Sequence, residues 1–177
     1  MDDEKSIFRE LVENHQKKVF QVALSMLGDK DEALDITQEV FIKAFRSYRH
    51  FRFDASPETW LIKITINKVR DYFRRERLRR LLFLKPGNIS AHQINIIADS
   101  NQSPLEILKE KQLKASLRDF QNALKGRERE VFALRFGNEY TIKEISELIG
   151  ISQSSVKTYI YRALEKAQKK LADWSRP

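Results

Sequence analysis

The chain has no cysteine, only five glycines and four prolines in 177 residues, and no long apolar run. Without cysteine there is no disulfide and no thiolate metal site, and the cysteine pattern of small secreted domains is missing. Scarce glycine and proline argue against a many-stranded protein, while Leu, Ile, Glu, Lys and Arg are abundant and favour helices. No apolar stretch approaches the ~20 residues of a membrane-spanning helix. The opening Met1-Asp2-Asp3-Glu4 is acidic, unlike a signal peptide. The expectation is an all-α protein of the cytoplasm.

Catalytic signatures are lacking too. His15, His50 and His92 are scattered without metal-ligand spacing, and no glycine-rich phosphate loop occurs. No catalytic residue, cofactor, metal or small-molecule substrate is expected.

What is present is positive charge. The formal net charge is +8 and the isoelectric point is near 9.7, which favours a polyanionic partner.

The apolar pattern predicts one helix over residues 7–27, with Ile7, Phe8, Leu11, Val12, Val19, Phe20, Ala23, Leu24 and Leu27 mostly at helical spacing. A second runs from Glu32 to Tyr48 and buries Ala33, Val40, Phe41, Ala44, Phe45 and Tyr48. Ser56-Pro57 starts a third, with serine as N-cap and proline at the first helical position, which continues to about Leu82. Residues 85–103 lose the periodicity and collect Pro, Gly, Asn and Ser, the composition of a linker. Ser103 and Glu106 form a capping-box pattern that restarts a helix, and another covers Arg127 to Phe136. Two small helical domains joined by a flexible linker result, divided as 1–84, 85–103 and 104–177.

The stretch TIKEISELIGISQSSVKTYIYRAL, residues 141–164, holds two short helical patterns meeting at Gly150. Thr141 and Glu144 have capping-box spacing, Gly150 suits a left-handed closing residue, and Ser152 caps the next helix. Val156, Ile160, Ala163, Leu164, Ala167 and Leu171 share one side of that helix. Ser154, Thr158, Tyr161 and Arg162 share the other, flanked by Ser155 and Lys157. Hydroxyls near a helix start suit phosphate, and longer donors reach base edges in the major groove. A plain helical hairpin with a solvated face has the same pattern.

The N-terminal block adds Arg70, Arg74, Arg75, Arg77, Arg79 and Arg80, opposed only by Asp71 and Glu76. Positive charge follows a phosphate backbone, and aromatic faces stack unpaired bases. Phe51 and Phe53, with Arg52 between them, fall in a loop and suit base contact, whereas Trp60, Tyr72 and Phe73 suit a core. On the second helix Asp35, Gln38, Glu39, Ile42, Lys43 and Arg46 point away from the apolar face. An acidic face with an outward isoleucine suits a protein partner, although such faces are often only solvated.

Taken in order, EALDITQEVF (32–41), TWLIKITINKVRDYFRR (59–75), REREVFALRF (127–136) and the helix-turn-helix resemble one family, the extracytoplasmic-function (group IV) sigma factors of bacterial RNA polymerase. The resemblance runs from about Ile7 to Leu171. It implies a sigma factor whose partners are core polymerase, promoter DNA and an anti-sigma protein. Asp35, Gln38, Glu39 and Ile42 would bind polymerase. Phe51, Arg52, Phe53, Asn67, Arg70, Arg74 and Arg75 would read and open the −10 element. Ser154, Ser155, Lys157, Thr158, Tyr161 and Arg162 would read the −35 element. A helix-turn-helix regulator acting without polymerase is the main alternative, and a DNA-processing enzyme the more distant one.

Overall fold

A computed structural model describes residues 2–48, 51, 54–82, 120 and 123–174. Among the described residues there are six α-helices and no strand: α1 (Asp2–Leu27), α2 (Lys30–Ser47), α3 (Pro57–Leu82), α4 (Arg127–Gly137), α5 (Ile142–Ile149) and α6 (Gln153–Trp174). The expected linker at 85–103 and most of the helix expected after it lie outside the described residues.

The starts of the helices are chemically explicit. The Asp29 carboxylate accepts from the backbone N–H groups of Asp31 and Glu32, both at 3.0 Å, so α2 begins earlier than the apolar pattern alone indicates. The Ser56 hydroxyl accepts from the Thr59 N–H at 3.1 Å ahead of Pro57. These bonds satisfy donors that the first turn of a helix leaves without a partner.

Helices α1, α2 and α3 pack pairwise into a bundle. Its centre holds Val19, Val22, Ala23 and Met26 of α1, Ala33, Ile36, Val40 and Ala44 of α2, and Leu61, Ile62 and Ile66 of α3, all buried. Burying each of the larger side chains is worth about 1.5–3 kcal/mol. Thr65 is buried among them because its hydroxyl donates back to the Leu61 carbonyl at 2.8 Å.

Two expected core positions are corrected. Phe45 is 52% exposed. The buried stripe of α2 runs through Ala33, Ile36, Val40 and Ala44, and Phe45 lies about 100° around the helix from Ala44. Its ring meets Phe8 of α1 in a T-shaped contact at a centroid distance of 5.1 Å. Leu164 stands in the same relation to buried Ala163 and is 39% exposed.

In the C-terminal half, Thr141 and Glu144 make the full capping box, and Gly150 closes α5 with φ +68°, a left-handed conformation that a side chain would strain. The Ser152 hydroxyl accepts from the Ser155 N–H at 3.2 Å to open α6. Helix α4 packs on α6, and α5 on both.

The two halves are docked. Helix α1 packs on α4, and α3 on α5. Val131, Leu134, Ile145 and Ile149 belong to the same buried cluster as the first three helices. A smaller separate cluster joins Phe120, Leu124 and Ala163, backed by Phe132 and Ala167.

Candidate nucleic-acid and partner interfaces

The outer face of α6 is open. Ser154, Lys157, Thr158, Tyr161 and Arg162 are exposed, with Tyr161 at 72%, while Val156 and Ala163 are buried beneath them. Ser154 and Ser155 hydroxyls lie 2.9 and 2.8 Å from that of the capping Ser152, so three hydroxyls cluster at the helix start. The Arg162 guanidinium lies 5.9 Å from the Tyr159 ring centroid, leaving its donors free to reach outward. An exposed ridge of hydroxyls, an amine, a phenol and a guanidinium on one helix suits a groove of duplex DNA.

On α3 the expected DNA-facing side chains differ in their surroundings. The Arg74 side chain is 80% exposed and paired with Asp71 at 2.9 Å, and Arg75 is 61% exposed with Glu39 at 3.8 Å. Arg70 is engaged. Its Nε and Nη2 donate to Glu130 Oε1 and Oε2 at 2.7 and 2.8 Å, and its Nη1 donates to Asn67 Oδ1 at 3.1 Å. The hydrogen bond from Arg70 to Glu130 holds the guanidinium above its usual basicity.

Phe51 is half-buried and stacks on Trp60 at 4.4 Å and 17°. Its N–H donates to the Tyr48 carbonyl at 3.0 Å. Trp60 is itself half-buried against the bundle core, so the pair forms an aromatic step on the bundle surface. Arg52 and Phe53 lie outside the described residues.

The outward face of α2 divides in two. Asp35 and Gln38 are exposed. Glu39 instead bridges helices: it accepts from Lys68 of α3 at 2.8 Å, and that hydrogen bond holds its carboxyl below the usual range. Beside them opens a groove of about 620 Å³ lined by Phe8, Gln38, Phe41, Ile42, Phe45 and Arg46. Ile42 is 53% exposed there and Phe45 nearly as much. Exposed large apolar side chains gathered at one concavity mark a place for another molecule.

Sequence reasoning missed the aromatic share of this groove, because Phe41 and Phe45 were assigned to the core. It also missed Glu130. That residue is 7% exposed and accepts from Arg70 of α3 and, at 2.9 Å, from Arg127 of its own helix. Arg127 further donates to the Ile149 carbonyl at 3.0 Å. In sequence Glu130 is one charge among four in RERE, and no local signal distinguishes it.

Among the described residues no group of three or more His, Cys, Asp or Glu side chains is placed to hold a metal ion. No helix of the described residues is long and apolar enough to cross a membrane.

The fold and surfaces define a two-part helical protein with an exposed helix-turn-helix face and a basic helix on separate halves. The sigma-70 region 2 family model matches residues 11–79, and the sigma-70 region 4 model matches residues 115–166. The chain therefore belongs to the sigma-70 family. It is 29% identical to the ECF RNA polymerase sigma factor SigW of Bacillus subtilis over 94% of this chain and 89% of that one. It is 28% identical to SigX of the same organism over 92% and 82%. Among solved structures it resembles the sigma factor RpoE in complex with the anti-sigma factor NepR from Bartonella quintana, with a TM-score of 0.67 at 19% identity over 93% of this chain and 96% of that one. It also resembles CnrH in complex with the cytosolic domain of CnrY, with a TM-score of 0.63 at 22% identity over 97% and 91%. At those identities the structural likeness shows the fold.

Proposed function

We propose that this chain is an alternative sigma factor of the extracytoplasmic-function type, which binds core RNA polymerase, reads the −10 and −35 elements of its promoters and promotes strand opening. The observation that carries the reading is the presence of both family regions on one chain, each with an unfilled surface of the chemistry its task requires. Residues 1–84 form the polymerase and −10 unit, 85–103 the linker and 104–177 the −35 unit. Asp35, Gln38 and Ile42 meet polymerase together with Phe45 and the rest of the groove. Glu39 supports that face through Lys68. Phe51, Arg52, Phe53, Asn67, Arg70, Arg74 and Arg75 serve the −10 element, and the exposed ridge of α6 serves the −35 element. The protein works in the cytoplasm, beside the polymerase, and is held in check by an anti-sigma protein; in support, the similar sigma factor RpoE is found in complex with the anti-sigma factor NepR.

The test is reconstitution. Purified chain plus core enzyme initiates at promoters mapped from transcript starts after forced expression, and core enzyme alone does not. A footprint and regulation without core polymerase would favour the helix-turn-helix regulator instead.

A further inference from the structure

Helix α3 runs on past the bundle it helps to form. Tyr72 and Phe73 are the last of its side chains packed against the buried cluster. Every residue from Arg77 to Leu82 is exposed. Leu78 is 56% exposed, Leu81 61% and Leu82 71%. Spaced at i, i+3 and i+4, these leucines form one apolar stripe along the final turns. Arg77 and Arg79 flank the stripe, and Arg74 and Arg75 stand one turn before it on the same face. Arg79 is paired with Glu76 at 3.1 Å, whereas Arg77 has no acidic partner among the described residues.

Leucine and arginine together narrow what can cover this end. A phosphate backbone satisfies the arginines but leaves three leucines in water. A second copy of the chain would cover the leucines but set arginine against arginine. The chain's own segments outside the described residues carry little complementary charge. Residues 85–103 have one acidic group, Asp99, and residues 104–119 hold four Lys and Arg against three acidic groups. A protein groove would need acidic groups on both sides of an apolar slot. An anionic bilayer has that layout at every point, with phosphates in one layer and acyl chains just beneath. Arginine stems lie along apolar surface while their guanidiniums stay at the phosphates, so flanking arginines and central leucines fit both layers at once. The segment is short, which makes the contact reversible rather than an anchor.

We propose that the free end of α3 is a membrane-contact site, at which Leu78, Leu81 and Leu82 enter the surface of an anionic lipid bilayer and Arg77 and Arg79 hold its phosphates. The site stands independently of the sigma-factor reading, because these five residues lie outside the surfaces assigned to polymerase and promoter.

The test is co-flotation of the full chain with vesicles of phosphatidylcholine alone and of phosphatidylcholine mixed with phosphatidylglycerol. Each arginine near an anionic surface gives about a fivefold gain in partition, and covering the exposed part of one leucine gives about fivefold or more. Wild type is therefore expected to bind the mixed vesicles at least about tenfold more tightly than the zwitterionic ones, with an affinity that falls as salt rises. Leu78→Gln, Leu81→Gln and Leu82→Gln together keep good helix formers at exposed positions. They should lower binding to the mixed vesicles by at least about tenfold. Arg77→Gln with Arg79→Gln should lower it by a similar factor and also reduce the salt dependence. Neither set should alter helix content by circular dichroism, or transcription with core polymerase when lipid is absent. Failure of wild type to float with the mixed vesicles would overturn the site. Equal flotation of wild type and the leucine variant would overturn it too, reducing the contact to the general attraction of a basic protein. Loss of lipid-free transcription in the leucine variant would do the same by assigning the stripe to a protein or nucleic-acid partner.

Discussion

Replacing Ile42 and Phe45 together with alanine is expected to weaken core polymerase binding by about 10–50-fold while leaving the fold intact. Complete burial of an isoleucine or phenylalanine is worth about 1.5–3 kcal/mol. In the free protein Ile42 is 53% and Phe45 52% exposed, so about half of that gain remains to be realised when a partner covers the groove. The pair then contributes about 1.5–3 kcal/mol, and alanine keeps the β-carbon, which places the loss toward the lower end; each 1.4 kcal/mol is a factor of ten in affinity. The folded state loses less, chiefly the edge-to-face contact of Phe45 with Phe8, a contact of about 0.5–1.5 kcal/mol. The assay is competition between the variant and labelled wild-type chain for core enzyme at two salt concentrations, with urea unfolding in parallel. The salt dependence should be unchanged, because the lost groups are uncharged. An affinity within about threefold of wild type, with unchanged stability, would refute the groove as the polymerase seat.

Asp35→Lys should also weaken polymerase binding, but in a salt-dependent way and without loss of stability, since Asp35 is exposed; Glu39→Lys is less clean because it also breaks the bridge to Lys68. On α6, Arg162→Ala and Lys157→Ala should both weaken −35 binding: a lost base contact costs about 1–3 kcal/mol and relaxes preference at one position, whereas a lost phosphate contact lowers affinity for all sequences and reduces the salt slope by about one. Thr141→Ala removes the capping box of α5 and should cost about 1 kcal/mol of stability by calorimetry. The Thr141 backbone bond holds the Glu144 carboxyl below its usual 4.5, so its stabilisation is present above that pH and lost as pH falls further; Glu144→Gln should flatten the acid limb of the stability curve. Phe51→Ala with Phe53→Ala should spare polymerase binding and impair permanganate-detected opening of the −10 region, and a pre-melted promoter should recover part of the transcription. A loss of stability with normal opening would return Phe51 to a purely structural role against Trp60.

Much of this protein was legible along the chain because helices are local objects. The capping groups Ser56, Thr141, Glu144, Gly150 and Ser152 act within a few residues of themselves, so their roles are written at short spacing and recur in the structure. The exposed side of α6 followed from the same periodicity, since Val156 and Ala163 had to face inward. Local pattern failed where two faces meet at an edge. Phe45 is as apolar as a core residue, and only the packing of the helices around it decides that it meets Phe8 of α1 and stays about half exposed.

Charge was the harder case. The sequence determined that α3 is basic and that α4 opens with RERE, but an ion pair across 60 residues leaves no periodicity to read. Whether Arg70 faces water, DNA or a carboxylate depends on which helix is brought against it, and that is a property of the docked halves. The chain by itself therefore determined the helices, their caps and their outward chemistry. The tertiary structure alone decided that Glu130 is buried between Arg70 and Arg127, because burying a charge is tolerated only where other groups, distant in sequence, converge to compensate it.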